Sequence, residues 1–165
     1  MTLLPADANE LEAQELAALQ LFLLERSARG PLVERVLVAG SRNWSRVRIL
    51  RMAIQMLPRT ATLVEGDAAG VDRVSGIMWR SLGGAVEPHP LPERWWLAGR
   101  RIPLERNQHM VDLGADVGLF FHRDNSAGTA HCLRAAREAG IPTFVFTQGG
   151  PDGRKVDQHG RHYRR

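Results

Sequence analysis

From Arg35 onward the chain switches repeatedly between short β-branched runs and longer stretches with an apolar residue every three or four positions. "RVLVAG" (Arg35 to Gly40) reads as a strand ending in glycine, and "SRVRILRMAIQML" then sets Val47, Leu50, Ile54 and Leu57 on one helical face. The cycle repeats. "ATLVEG" is a second strand, "VDRVSGIMWRSL" a second helix closed by Gly83 and Gly84, and "AVEPHPL" a third strand cut short by Pro88 and Pro90. "IPLERNQHMVDLG" carries Pro103 in a first turn and stops at Gly114, "DVGLFF" is a fourth strand, "GTAHCLRAAREAG" a fourth helix and "PTFVF" a last strand. Strands alternating with single helices predict an α/β fold: a Rossmann-like three-layer α/β/α domain with a mostly parallel sheet of about five strands.

Ahead of this cycle, "NELEAQELAALQLFLLE" places Leu11, Leu16, Leu19 and Leu23 near helical spacing, with Asn9 or Asp7 as its cap. "SARGP" (Ser27 to Pro31) breaks the pattern. The expected organisation is an N-terminal helical extension over residues 1–30, the Rossmann-like domain over 31–148 and a basic, flexible tail over 149–165. Whether the first helix packs on the core or on a second copy of the chain, a homodimer, stays open at this stage.

Composition narrows the picture. The chain has 165 residues, of which 44% are apolar, enough for one domain with a sizeable core. A lone cysteine, Cys132, excludes an intrachain disulfide and fits a reducing compartment; beside His131 it reads as a small buried apolar residue rather than a nucleophile. The start lacks a signal-peptide pattern and no run approaches the roughly 20 apolar residues of a membrane span, so a soluble, cytoplasmic protein with no membrane partner is expected. The net charge is +4, but the last fifteen residues, "PDGRKVDQHGRHYRR", hold five Lys or Arg against two Asp. The basicity is mostly a tail, either solubilising or in contact with nucleic acid.

In open α/β sheets, ligands bind beyond the carboxyl ends of the strands. The glycine-rich segments fall there. In "GSRNW", Gly40 allows a tight exit, Ser41 offers a hydroxyl and Arg42 a planar cation for phosphate or carboxylate; Trp44 either stacks on a base or staples the helix start. In "VEGDAAGVDR", Gly66 and Gly70 flank a turn into a helix whose first amides are unpaired, and Asp72 either accepts from backbone amides or takes a ribose hydroxyl. In "HRDNSAGT", Ser126, Gly128 and Thr129 stand at another helix start. Arg106 and Asn107 lie on the first turns of a helix, where Asn is a poor helix former and so points to a side-chain role. "PERWWLAGRR" is a loop long enough to cover such a site. Neither the dinucleotide G-x-G-x-x-G nor a P-loop is present. His89, His109, His122, His131, His159 and His162 lack metal-ligand spacing, so no metal and no cofactor are expected.

The order "VLVAGSRNW … VEGDAAGVDR … IPLERNQHMVDLGADVGLFF … SAGTAHCLRAAREAGIPTFVF" resembles the YspA-type branch of the SLOG superfamily, which is related to YpsA, the lonely-guy phosphoribohydrolases and DprA. The resemblance covers Val36 to Phe146. It implies a nucleotide pocket formed by Gly40, Ser41 and Arg42; Gly66, Gly70 and Asp72; Arg106 and Asn107; and Gly128 with Thr129. Related phosphoribohydrolases carry Pro-Gly-Gly before the Gly-Thr pair and a catalytic Glu after it. Here Asn125 and Ser126 replace the paired glycines, and His131 and Cys132 occupy the region of the acid. Glu65 and Asp67 are the remaining acids for such chemistry. The expectation is therefore a domain that senses or sequesters a nucleotide or an ADP-ribose- or NAD-like ligand. A nucleoside 5′-monophosphate phosphoribohydrolase and a DprA-like nucleic-acid-binding module are the alternatives.

Overall fold

The computed structural model describes residues 9–124 and 126–149, together with the backbone of 155–156 and 162–163. Five parallel strands form one sheet: β1 (Arg35–Gly40), β2 (Thr62–Glu65), β3 (Ala85–Pro88), β4 (Val117–Arg123) and β5 (Thr143–Gln148), in the order β3-β2-β1-β4-β5. Helices α2 (Val47–Met56), α3 (Val71–Ser81), α4 (Arg101–Asp112) and α5 (Ala127–Glu138) join them in turn. Two further two-residue strands, β6 (Lys155–Val156) and β7 (His162–Tyr163), pair antiparallel; the rest of the expected flexible tail lies outside the described residues.

Strand alternation divides the core into two layers. Val36, Val38, Leu63, Leu119 and Phe121 face one way and are buried with Ile49, Leu50 and Ile54 of α2 and Trp79 of α3. Leu37, Ala39, Val64 and Phe120 face the other way and meet Met110 and Val111 of α4 and Cys132 and Leu133 of α5. The cause is topological. The chain first steps from β1 outward to β3 and then returns to lay β4 on the other side of β1. With right-handed crossovers, that reversal moves the connecting helices to the opposite face. β1 and β4 run side by side from Val36 opposite Val117 to Gly40 opposite Phe121, and the strand order reverses between them.

The first helix, α1, spans Glu10–Arg29, and its Leu16 and Leu19 belong to this core. Asn9 and Glu12 form a reciprocal capping box: the Glu12 amide donates to Asn9 Oδ1 at 2.9 Å, and the Asn9 amide donates to Glu12 Oε2 at 3.0 Å. Leu16 and Leu19 are buried against the sheet, and the Phe22 ring meets Phe144 at 5.4 Å. Glu15 accepts the Val145 amide at 2.7 Å, which occupies an otherwise unpaired donor of the edge strand β5. Buried Glu12 also holds Arg46 at the start of α2, with N···O distances of 2.5 and 2.7 Å.

Some boundaries differ from the sequence reading. The helix runs through Ser27 and Ala28, because the glycine of "SARGP" ends it rather than its serine: Gly30 closes the last turn by donating to the Arg26 carbonyl at 3.1 Å. β4 continues through His122 and Arg123, which the composition had assigned to the following turn; Phe121, His122 and Arg123 pair with Phe146, Thr147 and Gln148 of β5. Val47 is exposed, so the buried face of α2 begins at Ile49 and Leu50.

Candidate functional site

A cavity of about 550 Å³ opens at the carboxyl ends of β1 and β4, at the reversal of strand order. Gly40, Ser41 and Arg42 supply one wall, and Ser126, Gly128 and Thr129 another. Asp72, Arg106 and Asn107 close the base and the α4 side. These nominated residues, drawn from four segments, are thus brought together. Gly66 and Gly70 are not on this surface.

The glycines do internal work. A Cβ on Gly40 would lie 2.5 Å from Val71 Cγ2, and one on Gly66 would lie 2.8 Å from Asp72 Oδ2. Gly70 has φ +87°, and its Cβ would lie 2.5 Å from Arg42 Cα. They let the chain's own segments approach one another. Gly128 differs, since a Cβ there meets nothing within 4 Å, and it lines the cavity.

Two side chains lock the crevice open. Ser41 is buried; its Oγ accepts from the Arg123 amide at 2.7 Å and donates to the Arg123 carbonyl at 3.1 Å, extending the β1–β4 ladder past its last backbone pair. Asp72, from the first turn of α3, accepts the Gly40 amide at 3.3 Å on Oδ1 and the Gly66 amide at 3.2 Å on Oδ2. Of its two sequence-level roles, acceptance from backbone amides is the one the geometry displays. Burial pushes its pKa up to about 6, against the pull of the Arg106 charge and of these amides. Arg106 carries the same burden, since burial lowers its pKa.

Arg106 is positioned by the chain around it. Its Nη1 donates to the carbonyls of Gly66 and, at 3.0 Å, His89, and its Nε donates to Asn107 Oδ1 at 2.9 Å. Asn107 Nδ2 then donates to the Gly128 carbonyl at 3.2 Å, which ties α4 to the first turn of α5. That is the side-chain role its awkward helix position pointed to. At α5 itself, Ser126 and Thr129 hydroxyls pair with each other at 2.7 Å, and among the described residues no side chain caps the helix. Its leading amides therefore face the cavity without a protein acceptor from a cap.

The cavity is rich in cations. Arg42, Arg100, Arg106 and Arg123 line it, against Asp72 and Asp124. Arg42 is exposed and makes no hydrogen bond or ion pair among the described residues. Arg123 and Asp124 were not nominated from the sequence. Arg123 donates to the Asn43 carbonyl at 2.5 Å, and Asn43 donates to Asp124 at 3.2 Å, linking the exits of β1 and β4. A strand read two residues longer would have placed them at the sheet's end. Arg100 lay in the noted "RWWLAGRR" loop.

The two acids considered for hydrolysis fall elsewhere. Glu65 is buried, accepts the Asp67 amide and lies outside this cavity; burial, more than its acidic neighbours, raises its pKa. Asp67 is held by Arg73 at 2.9 Å and borders a second cavity of about 400 Å³. Trp44 is packing: its ring meets Phe121 at 5.5 Å and its indole N–H donates to the Arg46 carbonyl at 3.0 Å. Cys132 is buried in the core, where burial pushes its thiol up to about 12. Among the described residues, no cluster of three His, Cys, Asp or Glu side chains is arranged to hold a metal, and no helix is long and apolar enough to cross a membrane.

No protein-family model matches the chain. Among curated proteins, the Gene 61 protein of Mycobacterium phage D29 is 36% identical over 122 residues, a match that covers 69% of this chain and 97% of the phage protein.

Proposed function

The chain belongs to the family of that phage Gene 61 protein, and we propose that it binds a nucleotide or a nucleotide-derived ligand such as ADP-ribose or NAD, as a sensor or sequestering protein of the SLOG type. One observation carries the reading: a nucleotide-sized cleft sits at the strand-order reversal, where arginines face the uncapped first turn of α5. Free helix-start amides favour an anion, and guanidinium groups add fork-shaped donors suited to phosphate oxygens. The parallel five-stranded sheet is compatible with a SLOG domain.

Binding is better supported than cleavage. Splitting an N-glycosidic bond needs a carboxylate near the ribose to steady the cationic sugar or activate water. Glu65 is outside the cleft, Asp67 is held by Arg73, both oxygens of Asp72 accept backbone amides, and Asp124, which does line the cleft, is paired with Arg123 at 3.5 Å and accepts from Asn43 at 3.2 Å. Calorimetric titration of AMP, NAD and ADP-ribose tests the proposal. The expected result is saturable heat with at least one of them, weakening as salt rises, and no release of adenine on prolonged incubation with AMP. Absence of heat with all three refutes it.

A further inference from the structure

The second cavity adjoins the first, and its chemistry is different. Arg42, Ala68, Pro103 and Arg106 border both. Among the described residues the first has no aromatic side chain in its lining, whereas Trp95 and Trp96 wall the second. These tryptophans sit in a 3-10 turn, Trp95–Leu97, with rings edge to face at 6.4 Å. Trp96 is 62% exposed, although a side chain of that size gains by burial. Pro90 and Pro92 limit the freedom of the segment leading to the turn, and Arg94 at its start has φ +57°.

Resting on the nucleotide reading, we propose a division of labour within one ligand: its base stacks on Trp96 and Trp95 in the second cavity, and its phosphate lies in the first, against α5, Arg100 and Arg123. Arg42 and Arg106 stand at the seam, where the ribose or a bridging phosphate passes. A base needs a flat polarisable surface, which the first cavity does not offer. A phosphate needs amides and guanidinium groups, and the first cavity is lined by Arg42, Arg100, Arg106 and Arg123 together with the first turn of α5. The two environments therefore sort the two ends of a nucleotide, and the "RWWLAGRR" segment acts as a stacking platform for the base.

The test compares ligands with and without a base. The full chain and its Trp96→Ala and Trp96→Phe variants are titrated by calorimetry with AMP, GMP, CMP, UMP and ribose 5-phosphate. Trp96 is exposed enough that its truncation leaves the core intact, and thermal melts verify this. The expected result is a loss of about tenfold in affinity for the preferred mononucleotide in Trp96→Ala, substantial retention in Trp96→Phe, and unchanged ribose 5-phosphate binding. Tryptophan fluorescence of the wild-type chain should respond to the mononucleotide and not to ribose 5-phosphate. Equal loss for both ligand kinds, or no loss for either, overturns the stacking assignment while leaving nucleotide binding standing. Should the wild-type chain bind none of the five, the same variants are titrated with NAD and ADP-ribose, where Trp96→Ala is again expected to lose about tenfold; failure to bind these as well overturns both.

Discussion

Replacing Asp72 with asparagine tests the electrostatics at the base of the cleft, and the sign of the result is decisive. Asp72 is 4% exposed, and burial raises its pKa from 3.8 to about 6. A carboxyl with a raised pKa holds its proton more tightly in the folded chain than in the unfolded one. Its contribution to stability is therefore fully present below 3.8 and is lost as pH rises through about 6. Linkage puts the loss between about pH 4.5 and pH 7 at roughly 2 kcal/mol. Asp72→Asn removes this titration. The asparagine also turns an N–H₂ toward one of the amides that Asp72 accepted, from Gly40 or Gly66, which adds a destabilising offset that does not depend on pH. Urea denaturation of both proteins at several pH values across that window gives the difference in unfolding free energy; groups remote from Asp72 cancel, while Glu65, whose pKa the Asp72 charge helps to raise, adds a smaller contribution of its own. The variant should be the less stable protein at the acid end and recover about 2 kcal/mol relative to wild type toward neutrality. A flat difference would mean that Arg106 and the donated amides cancel the effect of burial on Asp72. The opposite slope would mean that Arg106 and the donated amides outweigh burial, and the account of the site's electrostatics would fail.

Two glycines should behave oppositely under the same substitution. Gly70→Ala places a methyl against the Arg42 backbone at φ +87° and should cost about 3 kcal/mol in denaturant unfolding; Gly128→Ala meets open space in a helix and should be neutral or gain up to about 1 kcal/mol. Comparable losses at both would contradict the stated packing of the β1 and β2 exits. Cys132, buried and with its thiol pushed up to about 12, should resist an alkylating reagent at mildly alkaline pH in the folded protein and react once urea unfolds it. Prompt stoichiometric labelling of the native chain would show that the α5 core is more open than described.

What the sequence alone determined is the order of elements and the chemistry at their junctions. Periodicity is local: Leu50 and Ile54 on one helical face, or the run from Val36 to Ala39, report their partners' polarity whatever the partners are. That is why the α/β alternation and the glycine-rich turns beyond the strands could be read directly, and why Arg106 and Asn107 stood out. Tertiary structure decided what lies beside what. Only the order β3-β2-β1-β4-β5 places the exit of β1 beside that of β4, and so brings Arg123 and Asp124 into the cleft with Arg42. Only packing shows that Gly66 makes room for Asp72 and Arg106, that α1 lies on the edge of β5, or that Trp95 and Trp96 wall a cavity bordered, like the first, by Arg42 and Arg106. Residues 32 positions apart, such as Gly40 and Asp72, share a hydrogen bond because strands from distant parts of the chain align. No window along the sequence spans that alignment, and burial, charge and the shape of the cleft all follow from it.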